Sequence, residues 1–279
     1  MTQPYNRGKL AKRNSFSIAV ANSIVAAIVG LFLLFMLLPT TKLVASGGVE
    51  GVRRLAGDSE LRSALWLTLT CATAATLLAV VGGTPLAYLL ARKNFPGRSI
   101  VAAVVDIPLV IPHPVAGIAI LLALGRQSTA GSLLEAIGTR ITGSTTGIIA
   151  AMTFVAAPLF VAAAREAFEL VDPRLEGVAR TLGDSPYRAI RRVTLPLASR
   201  GLIAAGIVMW SRAASEFGAI VVLTYNPKVA SVLSYDRFTS TGLEGALPVA
   251  AVLVIIALIP LIALRAIKRS ASYIEDERE

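Results

Sequence analysis

Long apolar runs dominate the chain, and their lengths set its architecture. Asn14–Thr41, Ser63–Ala91, Ile141–Ala164 and Gly245–Leu264 contain no charged residue. Ser99–Gly125 is interrupted only by Asp106 and His113, and Gly201–Pro227 only by Arg212 and Glu216. A helix crossing the bilayer core needs about 20 apolar residues. The pattern therefore predicts an all-α polytopic membrane protein with six transmembrane helices, near residues 16–38, 64–91, 100–124, 146–167, 200–223 and 246–267. These form one transmembrane domain over 16–267, preceded by a basic leader (1–15) and followed by a charged tail (268–279).

One polar stretch breaks the pattern. Residues 172–186, DPRLEGVARTLGDSP, place Leu175, Val178, Ala179 and Leu182 on one helical face. Asp172-Pro173 is a helix start and Gly183 a helix stop. A second short helix is expected after Ser185, with Pro186 at its first position, running through YRAIRRV until Leu195-Pro196 ends it. Arg174, Glu176, Arg180 and Asp184 surround the apolar stripe and keep it out of the bilayer core, so the stripe calls for a groove on another protein. A helix lying on the membrane surface is the alternative. A DNA-binding helix–turn–helix does not suit a segment tethered to the membrane at both ends.

Charge assigns the faces. Of the 27 Lys and Arg, eight (Lys42, Arg53, Arg54, Arg62, Arg126, Arg140, Lys228 and Arg237) fall on one side of the six spans. Arg212 is inside a span, and the rest share the side of the leader, the polar stretch and the tail. The positive-inside rule places that side, with both termini, in the cytoplasm. The net charge of +10 is thus a topology signal, and no nucleic-acid partner is expected. The first apolar run follows a basic leader, as a signal peptide does, but it is longer than a signal core of about 15 residues and reads as a retained span.

Enzyme chemistry finds little support. There is no GxxxxGK[ST] nucleotide loop. His113 is the only histidine, so neither a His-rich metal site nor a nucleophile–His–acid triad is available outside the membrane. Cys71 is the only cysteine and excludes an internal disulfide.

Gly183, nine residues, and then Val193-Thr194-Leu195-Pro196 resemble the EAA loop (EAA-x3-G-x9-I-x-LP) of binding-protein-dependent ABC permeases. The Glu-Ala-Ala positions hold Gly177, Val178 and Ala179, and the acidic residue, Glu176, comes one place earlier. DIPLVIPHPVAGIAILLALG (106–125), SRAASEFGAIVVLTYNP (211–227) and ALPVAAVL (246–253) resemble permeases for molybdate and tungstate, across about residues 16–267. Sulfate permeases are close relatives of these.

The resemblance implies a type I ABC importer permease in a prokaryotic cell membrane, with its EAA loop at 169–198. It implies that Leu175, Glu176, Gly177, Val178, Ala179, Arg180, Thr181, Leu182, Gly183 and Asp184 couple to a separate ATPase subunit. That subunit, in two copies, would hold ATP and Mg, leaving no cofactor in this chain. The further partners implied are a second copy of this chain, an extracytoplasmic oxyanion-binding protein and membrane lipid. An ion-coupled secondary transporter and a membrane scaffold without transport are the rival classes.

Within the membrane, Arg212 and Glu216 are one turn apart, as a structural ion pair or as part of a path or gate. Ser211 and Ser215 offer donors to an anion, or simply bond backbone. Pro108, Pro112 and Pro114 kink the third span, and His113 either lines the route or satisfies a carbonyl freed by the kink. The candidates for the translocation path or gate are therefore His113, Arg212, Ser215 and Glu216. Asp106 has no assigned role. Gly82-Gly83 and Pro85 serve close packing or a hinge. In residues 224–245, KVASVLSYDRF suggests a short surface helix or a plain surface loop, with Tyr235, Arg237 and Phe238 as contacts for the binding protein.

Overall fold

The computed structural model describes the backbone of residues 7–276 and the side chains of residues 21–260 and 262. The side chains of the expected leader (1–15) and tail (268–279) lie outside the described residues. Among the described residues, those up to Ser46 and those from Gly47 onward form two compact units. The first consists of the earlier part of α1 (Arg7–Gly57), an unbroken helix that includes the first expected span.

The second unit holds the remaining spans. Helices α2 (Ser59–Arg92), α6 (Thr145–Glu169) and α9 (Leu195–Ala214) make its core. Small residues on α2, Ala72, Ala75 and Ala79, are buried in one apolar cluster with Ile148, Met152 and Val155 of α6. Gly83 sits against Phe160, 2.9 Å from where a Cβ would stand, whereas Gly82 has open space beside it. Close packing therefore accounts for Gly83 alone. The last helix, α12 (Leu243–Asp276), presses its backbone on the end of α1, where a Cβ on Gly47 or Gly51 would lie 2.4 Å from the carbonyl of Leu247 or Pro248.

Three expectations need correction. The third span is two helices, α3 (Arg98–Val110) and α4 (His113–Leu124), bent by 117° rather than a kinked rod. Ile111, preceding a proline, is extended, and Pro112 and Pro114 supply no amide to carry the ladder on. The fifth span ends at Ala214, and after a break a separate helix, α10, covers Gly218–Leu223. No proline causes this break. Glu216 leaves the helix and accepts from the Ala219 amide at 3.0 Å, capping α10 with its own carboxylate.

The third correction concerns Leu195-Pro196, which does not end the second loop helix. That helix, α8 (Pro186–Ala189), passes through a π-turn at Ile190–Thr194 straight into α9. The wider turn makes room for a proline ring that would clash in a regular α-helix.

Two shorter helices stand between the long ones. α5 (Thr129–Ala136), capped by Ser128, was not foreseen. Of the two alternatives for KVASVLSYDRF, the helix is the one that forms: α11 (Ala230–Thr241), exposed at Tyr235 and Phe238 and rooted at its start. Its Ala230 and Leu233 are buried with Leu61, Leu65, Val249 and Val252.

Candidate functional sites

The polar stretch forms the helix its sequence dictates. α7 spans Pro173–Thr181, with the Asp172 carboxylate accepting from the Arg174 amide at 2.8 Å. It ends in a Schellman motif: the Asp184 amide donates to Ala179 O and the Gly183 amide to Arg180 O, both at 3.1 Å. Gly183 has φ +98°, a conformation that only glycine adopts cheaply. Asp184 faces Arg192 at 3.3 Å and Arg188 at 3.7 Å, which fastens the turn to the next helix.

The orientation of α7 reverses the usual order. No residue of α7 is buried, and Leu175 and Val178 are exposed, with Leu182 just beyond at 83%. Ala179 is half-buried. The side that faces the bundle is polar and centres on Glu176. Its Oε1 accepts from Thr194 at 2.5 Å and its Oε2 from the Tyr88 hydroxyl at 2.9 Å, and Arg92 Nε lies 3.7 Å away. Arg92 also donates to Val171 O at the entrance to the loop. Tyr88 in turn packs edge-to-face on Phe168, with centroids 5.6 Å apart. Glu176 thus joins α7 to α2 and to the π-turn leading into α9. Gly177, Arg180 and Thr181 lie on exposed faces.

The second site forms where the two broken helices meet. Gly117 of α4 crosses α10 so closely that a Cβ would lie 2.6 Å from Ala219 O, and Gly218 abuts His113 and Pro114. In that crossing Arg212 Nη1 lies 2.9 Å from Glu216 Oε2, and Arg212 Nη2 lies 2.6 Å from His113 Nε2. The Arg–Glu pair is made, but across the helix break rather than along one face. A guanidinium has no acceptor, so His113 Nε2 accepts and the ring proton is on Nδ1, which is buried with no partner among the described residues. His113 therefore serves Arg212 and not a carbonyl freed by the kink. The Glu216 side chain is 1% exposed, that of Arg212 26%. Ser215 is exposed at the break and donates to Arg212 O, while Ser211 donates to Ala257 O of α12. Asp106 is exposed on α3.

On α11, Tyr235 and Phe238 are exposed and line a shallow groove of about 300 Å³ with Phe217 and Ala246. Arg237 is held within the chain instead, 2.7 Å from Asp58 and 3.2 Å from Glu60. The Arg237 guanidinium keeps the Asp58 carboxyl below its ordinary value. Lys228, 2.7 Å from Asp236, does the same there and is itself raised. Neither Asp58–Arg237 nor Glu176–Tyr88 was legible beforehand. Tyr88 and Arg92 do share a helix face, but nothing local points to a carboxylate 88 residues away.

Residues 83–272 match the family model described as the binding-protein-dependent transport system inner membrane component. The chain is 42% identical over 210 residues to the molybdate/tungstate transport system permease protein WtpB of Thermococcus kodakarensis, covering 75% of this chain and 80% of that one. It is 39% identical to a probable molybdenum ABC transporter permease protein of Haloferax volcanii, covering 82% and 83%. Among solved structures, a bacterial ABC transporter for import of the acidic polysaccharide alginate superposes with a TM-score of 0.68 at 19% identity, covering 94% of this chain and 99% of that one.

Proposed function

The chain belongs to the family of binding-protein-dependent transport system inner membrane components, and from that membership we propose that it is the permease subunit of an ABC importer for molybdate or tungstate. The observation that carries this reading is the reversed face of α7. Its carboxylate is tied inward to two spans, and its apolar residues are left outward for a partner. That partner is the ATPase subunit, in two copies, with ATP and Mg bound there. Two copies of this chain then enclose the path, both termini are cytoplasmic, and an oxyanion-binding protein docks on the face that carries α11.

Force is handed on through short, stiff links. When ATP draws the ATPase subunits together, α7 moves with the cleft that holds Leu175, Val178 and Leu182. The Schellman turn and the Asp184–Arg192 pair pass the motion to α8 and α9. Glu176 passes it to α2 through Tyr88. Rigid helices so linked switch between two arrangements rather than bending. Broken helices at membrane depth are tolerated where they meet protein or line water, and the crossing of α4 and α10 is such a place.

The path must attract a dianion without retaining it. A bare guanidinium 4 Å from a dianion is worth on the order of 8 kcal/mol at an effective dielectric constant of 20. Desolvation and lost freedom offset part of that, but an uncompensated cation in the path still favours retention over release.

Proteoliposome uptake tests the reading. Tungstate should enter only when the ATPase, the binding protein and ATP are all present. Uptake by this chain alone under an ion gradient would replace the reading with a secondary transporter.

A further inference from the structure

We propose that Glu216 is a built-in counter-anion that occupies Arg212 and keeps the permease from trapping the oxyanion it carries; this rests on the permease reading above. A structural ion pair buried in a bundle would have both partners enclosed. Here the carboxylate is enclosed and the cation is not: 1% against 26% exposure. Glu216 is also held at one carboxylate oxygen and at its backbone. Its Oε1 holds the Ala219 amide at 3.0 Å, and its backbone carbonyl accepts from Ser231 at 2.6 Å. The carboxylate is therefore fixed while the guanidinium presents an open edge.

The rest of the site matches a place for an anion. Arg212 sets one terminal nitrogen 2.9 Å from Glu216 Oε2, an ion-pair contact without hydrogen-bond alignment, and the other against His113 Nε2, which leaves the remaining N–H groups of its fork unassigned among the described side chains. The Nδ1–H of His113 lies buried at the same crossing with no partner among the described residues. With Arg212 positive, Glu216 negative and His113 accepting, the site is close to neutral. A dianion meets donors but little net charge, so it is guided rather than held.

Glu216→Gln tests this. The amide oxygen can still accept from Ala219, the negative charge is lost, and an NH2 group that cannot accept takes the place of the oxygen facing Arg212. Binding of radiolabelled tungstate is measured on the permease–ATPase complex in nanodiscs without binding protein, with sulfate and chloride as competitors. The wild type should show no saturable binding at micromolar tungstate. E216Q should bind at least tenfold more tightly and transport more slowly, with ATP hydrolysis retained. Arg212→Gln combined with E216Q should abolish the gained binding. If E216Q fails to assemble, tungstate during purification should restore assembly and chloride at equal ionic strength should not. Unchanged binding by E216Q, binding that survives loss of Arg212, or failure to assemble in every anion would overturn the proposal. Wild-type uptake by the same complex in proteoliposomes, with binding protein and ATP supplied, reports separately on whether the permease reading stands.

Discussion

Gly183 and Glu176 show how much single positions decide. Gly183 has φ +98° with no neighbour to clash with an added Cβ, so only backbone strain opposes a side chain there. Gly183→Ala should cost about 1 kcal/mol, seen as roughly fivefold faster hydrogen exchange at the Asp184 amide. Glu176→Gln keeps the shape but weakens charge-assisted bonds to Tyr88 and Thr194. We expect it to retain the ATPase in co-purification and to lower uptake per ATP by about tenfold. Asp58 gives a pH signature. Its carboxyl is depressed by Arg237, so the pair contributes stability above the unfolded value near 3.8 and loses it as pH falls through the lower folded value. Arg237→Gln should therefore lower the melting temperature at pH 7, and the difference from wild type should close below about pH 3.8. At this scale the sequence signalled the residues that act locally. Asp172 and Gly183 are a cap and a stop wherever they occur in such a pattern. Glu176 and Arg237 have partners on other elements that no spacing names, whereas the i,i+4 spacing does name Arg212 for Glu216 and leaves only His113 and the Ala219 amide unannounced.

Among the elements, the breaks matter more than the spans. Apolar run length located the spans because bilayer thickness fixes it. Proline chemistry predicted that the third span would not be straight, but not a bend of 117°, since the angle depends on what α4 packs against. The break after Ala214 has no proline and no glycine before Gly218 to announce it. It depends on Glu216 capping α10, a contact that exists only once the helix has already ended. The close crossing of α4 and α10 offers a paired test. Gly117→Ala places a Cβ 2.6 Å from Ala219 O and should destabilise the complex by about 1–3 kcal/mol. Gly82→Ala meets open space and should leave the melting temperature in detergent unchanged or slightly raised.

For the whole molecule, a bundle built from Ala-rich faces and backbone-to-backbone crossings transmits motion without needing a site of its own for energy. Its chemistry reduces to two junctions: Glu176, where the loop is fastened to α2 and α9, and Arg212, where α4, α9 and α10 converge. The number of copies and the partners were legible only through the resemblance carried by Gly183 and Leu195-Pro196, because an exposed stripe says that something binds and not what. The central claim is that the outward face of α7 sits in the ATPase subunit. The direct measurement is site-specific crosslinking from Leu182 replaced by a photoreactive residue, in membranes that contain the whole transporter. The account predicts one dominant adduct with the ATPase, lost when Val178 is also changed to Asp. Adducts only with lipid or with a second copy of this chain would contradict it.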